Sequence, residues 1–207
     1  MGNITIIGTG NMARTIATLA IAGGHTVEVM GRDQRKADDL VGTLGGGASA
    51  GKWGGTPTGD LVVTALLAAG VVPVVAEFGS ALAGKVVVDI SNPFNATFDG
   101  LAHSTETSVA QQAADVAPSD AGVVKAFNTI FQGVLEKGRP NVFLAGDDVR
   151  AKASVTAFVE SIGLRPLDVG GLRMATWLEG MGLVAVGLAG HGVGHGNFAL
   201  GVAEFSG

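Results

Sequence analysis

Cysteine and tyrosine are both absent from this chain of 207 residues. Without cysteine there is no disulfide framework, no thiol nucleophile and no thiolate metal site. That also excludes dehydrogenases that hold zinc on thiolates. Without tyrosine, reductases that protonate their substrate from a phenol are excluded. Charge is sparse as well: charged residues make up 15% of the chain and the net charge is -5. No basic run appears, so nucleic acid is a poor partner. Met1 to Ile7 carries no basic region of the kind that opens a secretory signal. No apolar run reaches the roughly 20 residues of a membrane helix without a glycine or proline; Met181 to Ala189 comes nearest. We therefore expect no membrane partner and a cytoplasmic location.

What the chain does have is hydrophobic residues, at 47%, and glycine, at 34 residues. The first supports a sizeable core, and the length suits one α/β domain with a small appendage. In so apolar a chain the glycines point to tight turns and close backbone packing. Strands are predicted at 3–7, 26–30, 61–66, 86–90, 123–127, 141–145 and 165–169. Helices are predicted at 12–22, 33–44, 71–78, 106–116, 149–162 and 172–188. Gly45 to Gly59 reads as a loop with room for a short strand. Strands that alternate with helices imply a doubly wound parallel sheet. Asp33 is a candidate N-cap, and Pro73 is expected in the first turn of its helix. Residues 1–163 are assigned to the sheet domain and 164–207 to a small C-terminal segment.

The most informative local feature is Gly8-Thr9-Gly10-Asn11-Met12-Ala13, which follows a strand and opens a helix. Gly8 permits the sharp turn, Gly10 admits a pyrophosphate to the backbone, and Ala13 lets the helix sit close to the sheet. The free N–H groups of the helix start then face phosphate. A glycine turn without a ligand has the same pattern, but its strand-turn-helix context favours a dinucleotide. The end of the second strand reads Met30-Gly31-Arg32-Asp33-Gln34-Arg35-Lys36. NAD binders usually carry an acid there. Here the acid is replaced by Gly31 and followed by Arg32, with Lys36 one turn on. Cations at a helix start oppose its dipole, so this placement asks for an anion. The 2′-phosphate of NADP fits that request.

Further candidates lie at strand ends. Asn92 and Asn128 would fix carbonyl or amide groups there, although an Asn-Pro turn and a loop-backbone bond explain them equally well. His191 and His195 are four residues apart, a metal-pair spacing if helical. Four glycines lie in that stretch and no carboxylate completes the set, so no metal is expected. If the substrate were a small ketone or imine, one of these histidines would be the proton donor. His25 and His103 read as structural and surface residues respectively. Trp177 and Met181 read as core or interface.

Taken together, these residues resemble the coenzyme F420-dependent NADP oxidoreductases. The resemblance covers nearly the whole chain. It rests on Ile7 to Met12, on Gly31-Arg32-Asp33 with Lys36, and on Gly84 to Pro93. It continues in Val124-Lys125-Ala126-Phe127-Asn128-Thr129 and in Gly163 to Gly170. It implies a Rossmann-type fold, hydride transfer between NADP and a deazaflavin, and a homodimer. By position it implies that Gly8, Thr9, Gly10, Asn11 and Met12 hold the pyrophosphate and that Gly31, Arg32 and Lys36 hold the 2′-phosphate. Leu66 and Gly70 would line the dinucleotide. Asn92 and Gln132 would approach the nicotinamide half or the deazaflavin. Family members often carry serine where Gly31 stands. Hydride transfer between two cofactors needs no obligatory general acid, so the missing tyrosine is no obstacle. The alternatives are an NADPH-dependent reductase of a small carbonyl or imine, and a non-catalytic NADP sensor.

Overall fold

A computed structural model describes residues 2–102 and 106–205; His103 lies outside the described residues. Eight strands form one sheet: β1 (Asn3–Ile7), β2 (Thr26–Met30), β3 (Ala48–Ala50), β4 (Leu61–Thr64), β5 (Val86–Asp89), β6 (Gly122–Lys125), β7 (Asn141–Gly146) and β8 (Arg165–Asp168). The helices are α1 (Asn11–Ala22), α2 (Gln34–Leu44), α3 (Ala68–Phe78), α4 (Val109–Val116), α5 (Gln132–Lys137), α6 (Val149–Ser161) and α7 (Ala175–Gly190). The strand order is β3-β2-β1-β4-β5-β6-β7-β8. The first six are parallel. Ile4, Ile6 and Val63 pack on one face of this sheet, and Ile7, Val62 and Val87 on the other. Burial on both faces explains why these strands read as unbroken apolar runs.

Local chemistry sets the helix boundaries. Asp33 caps α2 as expected, its carboxylate accepting from the Arg35 N–H at 3.1 Å. Asp148 does the same for α6 through the Ala151 N–H at 2.8 Å. Ser108 and Gln111 close a reciprocal capping box on α4, which therefore starts three residues later than the apolar pattern implied.

Two expectations are corrected. Helix α3 begins at Ala68, so Pro73 lies in its second turn, not its first. Strand β7 runs antiparallel to β6, so the sheet is not parallel throughout. A parallel partner would need a return crossover of a dozen or more residues, usually a full helix. Between β6 and β7 the only helix is α5, with six residues, about 9 Å of rise. Leu172–Gly190 is long and apolar enough, by length and composition, to cross a membrane. In the fold it lies against the sheet and α4, with Leu178, Glu179, Gly182 and Ala185 buried. Strand β8 pairs parallel with β7, so the sheet continues past residue 163.

Candidate active site

The order β2-β1-β4 reverses direction at β1, and such a switch point opens a crevice at the C-terminal strand ends. The glycine turn sits there. Gly8 adopts φ +131, and a Cβ on it would run into the Ala65 carbonyl oxygen of the neighbouring strand end. Gly10 is the N-cap of α1. A Cβ added to Gly10 meets nothing within 4 Å, so the space beside its backbone is open to a phosphate. Ala13 is fully buried against the sheet. The Met12 side chain packs onto the core, which leaves its backbone as the part able to meet a ligand.

A cleft of about 560 Å³ extends from this turn across the ends of β1, β2 and β4. Gly8, Thr9, Gly10, Gly31, Arg32, Lys36, Leu66 and Gly70 all line it, together with Trp53. The proposed phosphate set is therefore one surface. Asn11 and Lys36 face a smaller neighbouring cleft, which also holds Arg14. Sequence reasoning missed both Arg14 and Trp53. Arg14 stands one helical turn after Gly10, a spacing that signals it. Nothing in the glycine-rich 45–59 stretch signals Trp53. Its indole N–H donates to Glu77 Oε1 at 2.7 Å, and the Arg32 guanidinium lies over its ring, 5.4 Å from the centroid.

At the other end of the crevice, Asn92 and Asn128 meet. Asn92 Nδ2 donates to the Asn128 backbone carbonyl at 2.6 Å. Asn128 Nδ2 donates to Asn92 Oδ1 at 2.9 Å and to the Leu178 carbonyl of α7 at 2.8 Å. Both N–H groups of Asn128 are thus committed. Its Oδ1 is buried without a hydrogen-bond partner among the described residues. The turn that aims Asn128 is strained: buried Phe127 holds φ +62, a backbone state that bulky residues rarely adopt and that clusters at functional sites.

Beneath this pair is a fully buried ion cluster. Lys125 Nζ donates to Asp89 Oδ2 (2.8 Å), the Ser91 carbonyl (2.6 Å) and Glu179 Oε1 (3.0 Å). Glu179 also accepts from the Val109 N–H at the start of α4. The cluster ties β5, β6, α4 and α7 together and holds the backbone of Ser91 next to Asn92. Burial pushes the Glu179 carboxyl above its ordinary range, and the Lys125 charge opposes that rise.

Two clefts flank Asn92. One, of about 390 Å³, lies over Leu67, Val72, Pro93 and Phe94. The other, of about 170 Å³, lies between the asparagine pair and Gly182, Ala185 and Val186 of α7. Among the described residues that line them, none is acidic, basic or histidine. His191 and His195 lie elsewhere. Helix α7 ends at Gly190, and His195 takes φ +47 in a glycine-rich turn, so the two do not share a helix face. Both are exposed, and the His191 ring bonds to the Gly187 carbonyl. No metal-binding group of three or more His, Cys, Asp or Glu exists among the described residues. Gln132 opens α5 and donates to Glu136, and it lines none of the clefts described above. His25 bridges Gly2 and Ser161, as a structural residue would.

Comparison with known proteins agrees with this geometry. Residues 3–93 match the family described as NADP oxidoreductase, coenzyme F420-dependent. The chain is 29% identical over 184 residues to the metalloreductase STEAP3 of Rattus norvegicus, covering 87% of this chain and 36% of the rat protein. It therefore spans about a third of that relative. Among solved structures, a provisionally assigned F420-dependent NADP-reductase from Arthrobacter sp. FB24 is similar over 99% of this chain and 100% of its own, at 26% identity and a TM-score of 0.87. That likeness extends through the C-terminal segment, which the family match leaves uncovered. An imine reductase from Aspergillus terreus shares the fold at 22% identity and a TM-score of 0.70, covering 92% of this chain and 63% of its own.

Proposed function

Since residues 3–93 match the family described as NADP oxidoreductase, coenzyme F420-dependent, we propose that the whole chain transfers hydride between NADP and a deazaflavin of the F420 type. The observation that carries this reading is the crevice itself. It has a basic phosphate end, and at its other end two clefts whose described linings offer no proton donor stronger than an amide or hydroxyl. Reduction of a ketone needs a group that protonates the new alkoxide. Transfer between two rings needs apolar walls and alignment. The nicotinamide supplies the hydride, and solvent supplies the proton that balances the reduced deazaflavin.

On this reading the α1 start and the Gly10 backbone hold the pyrophosphate, while Arg32 and Lys36 hold the 2′-phosphate. The guanidinium and ammonium form no ion pair with any described residue, so both are free for that anion. Leu67, Pro93 and Phe94 exclude water from the facing rings. The asparagine pair fixes an amide edge, with Asn128 Oδ1 as acceptor. The reading includes a homodimer, with α7 as the contact: Trp177, Val184 and Leu188 leave an apolar stripe on its outer face.

The test is direct. Purified protein is mixed with NADPH and oxidised coenzyme F420, and the deazaflavin absorbance is followed. Turnover with F420 and none with small ketones or cyclic imines is expected. NADPH binding without F420 turnover would refute the proposal.

A further inference from the structure

We infer that Trp53 is the residue that positions Arg32 for the 2′-phosphate, and so determines the preference for NADP over NAD. The inference rests on the reading of Arg32 given above. Trp53 lies 21 positions beyond Arg32, in the glycine-rich loop that follows β3.

An arginine that must meet a phosphate needs to be held without losing its donors. A carboxylate partner would hold the guanidinium but would occupy the same N–H groups that the phosphate requires. An aromatic face avoids this conflict. It attracts the cation through the ring quadrupole and leaves the in-plane N–H groups open. Arg32 has that arrangement: its guanidinium lies over the Trp53 ring at 5.4 Å and forms no ion pair or side-chain hydrogen bond with a described residue.

The indole is itself fixed at two points. Its N–H donates to Glu77 Oε1 at 2.7 Å, and its edge packs on buried Phe78, with centroids 5.2 Å apart and planes at 88°. Both partners belong to the end of α3, a rigid element behind the cleft. The bond to an anionic acceptor also draws negative charge into the ring, which strengthens its hold on the cation. Trp53 and Arg32 both line the 560 Å³ cleft beside Gly31 and Lys36. The side chain therefore stands where the adenosine 2′-position would lie.

The experiment measures dissociation constants for NADPH and NADH, by calorimetry, on the full chain and its variants. Trp53→Leu is expected to weaken NADPH about three- to tenfold and NADH less than twofold. NADH binding reports in the same sample that the variant is folded. Trp53→Phe, which keeps an aromatic face, should recover most of the NADPH affinity. The chain has two tryptophans, so in a Trp177→Phe background Arg32→Ala should change the emission of Trp53. Equal losses for both nucleotides, no loss for either, or no rescue by phenylalanine would overturn the inference. Arg32→Ala is measured alongside. If it too fails to separate NADPH from NADH, the 2′-phosphate reading falls. If it separates them and Trp53→Leu does not, only the role of Trp53 falls.

Discussion

Thr9 and Gly31 are fitted to one another. A Cβ on Gly31 would lie 2.8 Å from Thr9 Cγ2, so the threonine methyl occupies the place that a side chain at the end of β2 would fill. On the proposed reading the two residues belong to the pyrophosphate turn and to the 2′-phosphate corner. Their contact couples the two halves of the phosphate surface. It also accounts for glycine at a position where the resembling family often carries serine.

Gly31→Ser is therefore expected to weaken NADPH rather than add a phosphate contact. The threonine methyl is the end of a short side chain and can rotate, so the cost should be about 1 kcal/mol, at the low end for overpacking. Thr9→Ser removes the opposing methyl and should recover most of it. A double-mutant cycle in NADPH titrations and thermal unfolding measures this coupling. Tighter NADPH binding by Gly31→Ser alone would contradict the steric account.

Gly182 lets α7 close over the asparagine pair. A Cβ there would stand 2.9 Å from Asn92 Oδ1 and 3.2 Å from the Asn128 carbonyl. Gly182→Ala should push α7 away from the pair and lower stability by about 1–2 kcal/mol. Steady-state kinetics should show a reduced kcat, with the affinity for 2′,5′-ADP unchanged, because the phosphate end lies on other strands. A loss confined to 2′,5′-ADP binding would reverse this assignment.

Lys125→Met should destabilise the fold by about 3–5 kcal/mol in denaturant titrations, because Asp89 is left as a buried carboxylate without its cation. The half-exposed pair Lys152–Asp168, although equally short at 2.8 Å, should cost under about 1 kcal/mol when Lys152 is replaced by methionine. Similar losses at the two sites would mean that burial does not govern these pairs.

Glu179 makes stability depend on pH. Its folded carboxyl is raised above the ordinary value of 4.5, first by burial. The folded state therefore holds the proton more tightly than the unfolded chain. This contribution is fully present below about 4.5 and is lost as pH rises through the raised value. Glu179→Gln keeps an acceptor for Lys125 and for the Val109 N–H but cannot ionise. Melting temperatures taken from acid to neutral pH should fall for the parent relative to this variant. Parallel curves would show that Glu179 does not titrate in that window.

The chemistry that was legible in the sequence came from residues close together in the chain. Asp33 announced its helix because a cap acts over two or three residues. Gly8, Gly10 and Ala13 announced the dinucleotide turn because their roles are steric and local. Gly31, Arg32 and Lys36 pointed to a phosphate because they stand close together at the start of α2. His191 and His195 are close in the chain too, although their stretch implies no metal. Their spacing has meaning only on a helix, and α7 stops at Gly190.

The sequence by itself determined the order of the strands and of every helix but the short α5, the glycine turn at the switch point and the cationic corner beside it. Periodicity, caps and turns are short-range effects, so each could be read in place. Only the tertiary structure decided that β7 turns back antiparallel and that Trp53 lies under Arg32. It alone brought Asn92, Asn128 and Leu178 into one hydrogen-bonded set. It alone enclosed Lys125 between Asp89 and Glu179. Those partners are 21 to 54 residues apart, and each contact forms only when the sheet brings its strand ends together. Burial then gives it weight, because a charge or amide removed from water must find its partner within the fold.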